Sequence, residues 1–270
     1  MGKLAGMGRI FYGTAITGMG VQTIYYHDLP YMLMAPANFP TSVLLILAYV
    51  FGVLFILAGL SIILKIKIRP VCLLLGTMLL LIFCLYYIPY QLMENPNYLH
   101  LIEWDNAEKE WALSSGAFII AGCFPEKREN TFFSYLAKGI PLGTIFFAIA
   151  ILSFGIDHFL YAKGVAEYIP LWVPNKIFWA YCAGVGLFGS ALGIILKFRT
   201  QTMAILLGSM IFIWFIILHI PKVIGSLKAD PGGEITSAFL ALAYSGIAFV
   251  VAGVAQNKKL SQADQPVPVK

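Results

Sequence analysis

The sequence predicts an all-α membrane protein with eight transmembrane helices, arranged as two four-helix repeats of parallel topology. Three observations lead to this fold class. First, 60% of the 270 residues are hydrophobic and only 11% are charged, whereas soluble domains carry about 25% charged residues. Second, the apolar residues form long continuous runs and not the alternating pattern of a barrel strand. Third, short motifs recur in the same order in the two halves of the chain.

Eight apolar runs are candidates for spans, since crossing a hydrocarbon core takes about 20 mainly apolar residues in a helix. The fourth is the weakest, because its continuously apolar part begins only at Trp111 and the helix must begin near Glu103 to be long enough. The first run has a basic start like a signal peptide, but its counterpart in the second half favours a span. The predicted spans are residues 8–26, 41–64, 71–92, 103–124, 139–161, 175–196, 202–220 and 235–253.

The repeat is predicted from six short matches between the halves, three of which share an offset of 132 residues. Because four is an even number of spans, both repeats enter the membrane in the same direction. The matches begin at Gly13 and Gly143, Pro36 and Pro170, Ile62 and Ile194, Gly76 and Gly208, Ile88 and Ile220, and Ser115 and Ser245. The domain prediction is a degenerate first repeat over 1–124, a cytoplasmic linker over 125–138, a second repeat over 139–255 and a disordered tail over 256–270.

The distribution of Lys and Arg predicts the orientation. Thirteen of the 18 basic residues fall on the side of the two termini, and 10 of the 13 acidic residues fall on the other side. Cytoplasmic loops hold the excess of basic residues, so we expect both termini in the cytoplasm of a bacterial inner membrane. The net charge of +5 is then a matter of topology and of attraction to anionic lipid. The lipid bilayer is the expected partner, and nucleic acid is not.

Several kinds of site have no signature in the chain. The sequence has no Walker loop, no nucleophile elbow, no CxxC pair and no histidines at metal-binding helical spacing. We therefore assign no catalytic residue, no metal site and no cofactor from motifs. The oligomeric state is open.

Part of the second half resembles the DoxX-like family of bacterial integral membrane proteins, here as a tandem duplication. The residues that carry the resemblance are Gly155-Ile-Asp-His-Phe159, Pro170-x3-Pro174, Arg199, His219-Ile-Pro221 and Glu234. The resemblance implies a four-helix membrane unit, with members linked to quinone-coupled sulfur oxidation or to thiol and oxidative-stress systems. In the first half, Thr23 stands where His158 would lie and Tyr87 where His219 would lie.

Ionisable side chains near the membrane are costly and mark candidate sites. One set lies at the outer ends of spans in the second half: Asp157, His158, His219, Glu234, Trp172 and Trp214. One hypothesis is an outward-facing pocket, in which the histidines hydrogen-bond a quinone oxygen or exchange a proton with it. The alternative is plain interfacial structure, in which Glu234 favours a helix N-terminus and the tryptophans form an aromatic belt.

The functional prediction is a membrane subunit of a quinone-linked redox system, or a small-molecule-binding protein within one, with a redox protein as partner. The alternatives are a transporter or lipid-handling protein and a non-catalytic membrane scaffold. Two features speak against transport: no charged residue is expected at a span centre, and no broken helix is expected at corresponding midplane positions of the two halves.

Overall fold

A computed structural model of the protein describes residues 2–30, 40–95, 97, 99–126, 128–226 and 231–263. Within this part of the chain the fold is helical throughout, with short turns between the helices. The helices are α1 (Lys3–Tyr26), α2 (Thr41–Leu64), α3 (Ile68–Met93), α4 (Asp105–Gly122), α5 (Thr131–Leu160), α6 (Ala162–Tyr168), α7 (Lys176–Ile195), α8 (Thr200–Ser226) and α9 (Pro231–Ala263).

Six of these helices are long and apolar enough to cross a membrane: α2, α3, α5, α7, α8 and α9. The multi-pass membrane class predicted from composition is therefore confirmed. Helices also occupy the other two predicted spans, α1 and α4, but α4 has only 18 residues and carries four charged side chains. For α2 the predicted and observed bounds coincide, since Pro40 precedes its first turn and Lys65, in a left-handed conformation, ends it.

Two segments are more helical than the sequence suggested. The predicted linker contains the helical turns of Thr131–Leu136 and Ala137–Gly139, which lead directly into the apolar part of α5. The predicted disordered tail begins as helix, because α9 continues to Ala263. Extending an existing helix costs far less than nucleating one, so a stretch rich in Ala, Gln and Lys can continue from a buried span. Residues 264–270, and the match that begins at Pro36, lie outside the described residues.

The two halves, α1–α4 and α5–α9, share one hydrophobic core. Helices α1 and α2 pack together, as do α3 and α4, and the same pairing recurs for α5 with α7 and for α8 with α9. The first helix of each half also packs along the last helix of the other, α1 on α9 and α5 on α4. Because α4 and α9 touch each other as well, these two helices lie at the centre of the assembly.

Glycines permit the closest helix contacts. A Cβ atom on Gly8 would lie 2.2 Å from the carbonyl oxygen of Gly246, so α1 and α9 meet backbone to backbone there. In the equivalent contact of α5 with α4, a Cβ on Gly143 would lie 3.0 Å from the carbonyl oxygen of Ser115. Small residues at such crossings are how membrane helices gain packing contacts.

Local structure recurs between the halves. A wide π-helical turn spans Phe83–Tyr87 in α3, and another spans Phe215–His219 in α8, each ending two residues before a proline. The Ser114 hydroxyl donates to the carbonyl of Gly76 at 2.7 Å, and the Ser245 hydroxyl donates to that of Gly208 at 2.8 Å. These bonds pair Ser114 with Ser245, one residue away from the sequence match of Ser115 with Ser245.

Candidate functional site

The predicted site lies at one end of the assembly, where α1, α3, α5 and α8 finish and α2, α4, α7 and α9 begin. We call this the acidic end, and the opposite end, with Lys65, Arg69 and Arg199, the basic end. His219 closes the π-helical turn of α8 at the acidic end. A π-turn leaves a local widening in the helix and is often found at functional sites. The Nδ1 atom of His219 is buried and has no hydrogen-bond partner within the described part of the protein.

A lysine joins two elements next to this histidine. The Lys222 Nζ lies 3.3 Å from the Glu234 Oε1, and both side chains are partly buried. The same ammonium group stands 3.7 Å above the ring of Tyr168, which belongs to α6. Lys222 is also close enough to act electrostatically on His219. The structure therefore brings His219 and Glu234 together through Lys222, a residue that the sequence analysis did not single out.

The remaining predicted residues of this set have different surroundings. His158 shares its Nδ1 with the carbonyl oxygen of Phe154 at 2.7 Å, so this nitrogen donates and Nε2 remains as an acceptor. Trp214 packs edge-on against Trp179, with ring centroids 6.4 Å apart. Trp172 is 69% exposed, as expected of an interfacial aromatic. Among the described residues, no hydrogen bond joins the imidazoles of His158 and His219.

Asp157 lies beside α4. Its side chain is only 5% exposed, and neither carboxylate oxygen has a hydrogen-bond partner within the described chain. The charged groups that act on it are Asp105 and Lys109, both on α4. Asp157 therefore belongs to the junction between the two halves, and not to the surroundings of His219.

This junction holds a second carboxylate that the sequence analysis missed. The Ser153 hydroxyl, one turn before Asp157, donates to the Glu108 Oε1 at 2.6 Å. The other carboxylate oxygen of Glu108 is buried and without a partner in the described residues, and Asp157 lies within its electrostatic range. The signal in the sequence was the spacing of Ser153 and Asp157, since residues four apart share a helix face.

Glu110 is a third buried carboxylate, and it lies among residues of the first half. It is 1% exposed, and its Oε2 has no partner among the described groups. It lines a narrow cleft together with Thr23, Leu29, Pro30, Phe51, Phe55 and Ile82. The sequence analysis placed Glu110 in the polar first turns of a weak span and did not expect it to be buried.

The basic end is closed by an ion pair. The Arg69 guanidinium donates two hydrogen bonds to Glu129, from Nε at 2.6 Å and from Nη2 at 3.1 Å, and a third to the Ala121 carbonyl at 3.0 Å. These bonds hold the pKa of the Glu129 carboxyl below its usual value. Arg69 thereby ties the start of α3 to the end of α4 and to the segment that follows it.

The buried groups of the acidic end suit proton and hydrogen-bond chemistry. Imidazole nitrogens and carboxylates can accept, donate or exchange protons. Within the described ranges, no group of three or more His, Cys, Asp or Glu side chains is placed to hold a metal ion.

No protein-family model matches the chain, and neither a curated protein nor a solved structure matches it.

Proposed function

We propose that the chain is a DoxX-like inner-membrane protein built from two four-helix repeats that together cross the membrane eight times. The support is the recurrence of local structure described above: two π-turns at an offset of 132 residues and two serine-to-glycine hydrogen bonds across the same helix pairs. The left-handed residues Lys65 and Lys67 between α2 and α3 also have counterparts, Lys197 and Arg199, between α7 and α8.

In this proposal the basic end faces the cytoplasm and carries both termini, while the acidic end faces outward. The positive-inside rule supports the assignment, because the loops of the basic end hold most of the lysines and arginines. The membrane is the inner membrane of a bacterium. The histidines and buried carboxylates then open toward the outer surface.

The function we propose is binding of a small carbonyl-bearing molecule, of which a quinone is the candidate, at the outer end of the second half in a redox system. The observation that carries it is His219, whose buried Nδ1 lacks a partner beside the Lys222–Glu234 pair. A buried nitrogen without a hydrogen bond is costly, and a carbonyl oxygen would satisfy it when the nitrogen is protonated. Lys222 supplies a positive charge beside the same position.

Quinone content and quinone binding of the purified full-length protein test this function. The wild type should retain a quinone through detergent extraction, detectable by mass spectrometry, and should bind added ubiquinone. His219→Ala and His158→Ala should weaken that binding, whereas Trp172→Ala, at an exposed site, should not. The proposed function is wrong if the wild type holds no quinone and the binding of added ubiquinone does not respond to either histidine substitution.

A second candidate function is transport. Two observations favour it: the helix irregularities at Phe83–Tyr87 and Phe215–His219 occupy corresponding positions in the two halves, and the acid Glu110 is buried near the first of them with an oxygen that lacks a partner in the described residues. Uptake of a solute into liposomes containing the protein, abolished by His219→Ala, would favour transport over quinone binding. No uptake together with histidine-dependent quinone binding would favour the first candidate.

A further inference from the structure

We infer that Glu108 and Asp157 form a proton-binding carboxyl pair, which holds one shared proton at neutral pH and exchanges it with solvent at the acidic end. The pair lies where α4 of the first half packs against α5 of the second. It is a different site from the surroundings of His219, and the inference does not depend on the ligand proposed there.

The first argument is the lack of compensating charge. Asp157 is only 5% exposed, and both of its carboxylate oxygens lack hydrogen-bond partners in the described structure. One carboxylate oxygen of Glu108 is also buried without a partner there, while the other accepts a hydrogen bond from Ser153. Two unpaired carboxylates that share a buried site cannot both ionise without a large electrostatic penalty, so one of them keeps its proton.

The charged neighbours do not remove this penalty. Lys109 is the cation on α4 that faces the pair, but its Nζ already contacts the Asp105 carboxylate at 2.5 Å. The site therefore contains three carboxyl groups and one ammonium group. On the side of α9, Tyr244 donates a hydrogen bond to the Lys109 carbonyl at 3.2 Å and presents a neutral phenol to the junction.

The location gives the proton a route on one side. The Asp105 and Lys109 side chains are 31% and 18% exposed, so the rim of the site at the acidic end reaches solvent. The rings of Phe154 and Tyr244 pack next to the site with their centroids 5.9 Å apart. The partly exposed rim gives the pair a route for proton exchange at the acidic end.

Carbodiimide labelling tests the pair, because dicyclohexylcarbodiimide modifies protonated carboxyl groups in apolar surroundings. The full chain in detergent is treated from about pH 5 to about pH 9, a range that brackets the shifts seen for buried carboxyls, and the adducts are located by mass spectrometry. In the wild type, Glu108 and Asp157 should be modified at neutral pH, with one adduct per pair. Glu129, a carboxylate that is ion-paired with Arg69, should remain unmodified.

Variants show whether the two groups share the proton. Asp157→Asn removes the neighbouring negative charge, so Glu108 ionises more readily. Modification of Glu108 at neutral pH should then fall by about tenfold, the effect of a shift of one pKa unit. Glu110→Gln is the matched control, since Glu110 is buried on the same helix but lines the cleft of the first half; it should leave the labelling of the pair unchanged. Ser153→Ala, which removes only the hydroxyl bonded to Glu108, should alter Glu108 more than Asp157.

Two results would overturn the inference. In the first, Glu108 labelling is the same in the wild type, Asp157→Asn and Ser153→Ala at every pH, which would mean that the carboxyls titrate independently. In the second, sodium chloride protects the pair from the reagent and choline chloride of equal ionic strength does not, which would make it a sodium site. Size-exclusion elution of each variant shows that the protein labelled is folded.

Discussion

The two π-turns of the molecule are alike in backbone geometry but carry different chemistry. In the second half the π-turn of α8 ends in His219, with His158 on α5 beside α7. In the first half the matching π-turn ends in Tyr87, which is 1% exposed, and the acid Glu110 lies nearby on α4. Next to its π-turn, the first half thus buries a carboxylate, whereas the second half holds partly buried imidazoles. The two turns are alike, and the side chains beside them differ.

The polar residues that close the acidic end differ in the same way. In the first half, Asn95 donates to Glu103 at 3.0 Å and to Gln91 at 2.7 Å, forming a neutral amide network around one acid. In the second half, Glu234 pairs with Lys222. A cation next to His219 favours a ligand with oxygen acceptors, whereas the amide network of the first half mainly fixes the start of α4.

The largest effect should come from the contact that joins the halves. Gly8→Ala would place a Cβ 2.2 Å from the Gly246 carbonyl oxygen, so α1 and α9 must separate along their length. Gly143→Ala in the equivalent contact of α5 with α4 meets its neighbours at 3.0 Å and needs only small shifts. We expect Gly8→Ala to cost about 3 kcal/mol or more of unfolding free energy and Gly143→Ala about 1 kcal/mol. Thermal unfolding in detergent measures both.

Gly6→Ala is the control for this pair, because a Cβ on Gly6 meets nothing within 4 Å. It should not lower the unfolding temperature, because alanine favours the helix more than glycine does. If Gly143→Ala were as damaging as Gly8→Ala, the contact of α5 with α4 would be as tight in solution as the contact of α1 with α9, contrary to this prediction.

The next effect is on ligand affinity, and it exchanges residues between the halves. His219→Tyr installs the residue that the first half carries at the same place, where Tyr87 is buried without disturbing its π-turn. The fold should therefore survive, while quinone binding weakens by at least about tenfold, the value of one lost hydrogen bond in a buried site. Equilibrium binding of ubiquinone provides the measurement.

The reverse exchange, Tyr87→His, should leave quinone affinity unchanged, because the first half has neither the lysine nor the second histidine. Equal losses from both exchanges would show that the two halves bind the ligand together. Unchanged affinity in His219→Tyr would remove His219 from the site.

The sequence was sufficient to predict where the helices lie, but not which helices pack against each other. Continuous apolar runs ending in charged residues placed α2 at 41–64 and most other spans within a few residues, because a helix in lipid must satisfy its own backbone. The pairing of α1 with α9 and of α5 with α4 was not predictable from periodicity, since the helices are apolar on most sides. It depends on where single glycines such as Gly8 and Gly246 meet.

The same limit explains why the candidate site was only partly predicted from the sequence. The sequence identified Asp157 and His219 because ionisable residues stand out near apolar runs, but grouped them as one site. Glu108 and Glu110 were hidden in the charged first turns of α4, where charge usually indicates exposure. The packing of α4 against α5 buries Glu108, and the first-half residues that line the cleft bury Glu110. The prolines at 89 and 221 indicated a bend in both halves, and the structure adds that the bend is a wide turn ending in Tyr87 or His219.

A smaller effect compares two hydrogen bonds that the halves share. Ser114 and Ser245, both buried, donate to the carbonyls of Gly76 and Gly208 at 2.7 and 2.8 Å. Ser114→Ala and Ser245→Ala should each cost about 0.6 kcal/mol, a typical value for hydrogen bonds between membrane helices. The double variant should show the sum, since distant sites usually add. Unequal costs would mean that the two helix pairs, although alike in geometry, differ in how well they can relax.

The smallest effect concerns the Arg69–Glu129 ion pair at the basic end, for which the described residues of the second half show no counterpart. Arg69 pairs with Glu129, and the residue 132 positions later is Gln201. Because the pKa of Glu129 is lowered in the folded protein, its contribution to stability is present above the unfolded pKa of about 4.3 and is lost as the pH falls through the folded value. Glu129→Gln should lower the unfolding temperature by no more than about 3 °C at neutral pH.

The pH dependence separates this ion pair from a packing effect. The wild type and Glu129→Gln should converge in unfolding temperature as the solution is acidified, since the wild-type carboxylate becomes protonated and loses its attraction for Arg69. Gln201→Ala, at the corresponding place of the second half, should leave the unfolding temperature unchanged at both pH values. A difference between wild type and Glu129→Gln that persisted in acid would mean that shape, and not charge, joins α3 to the segment after α4.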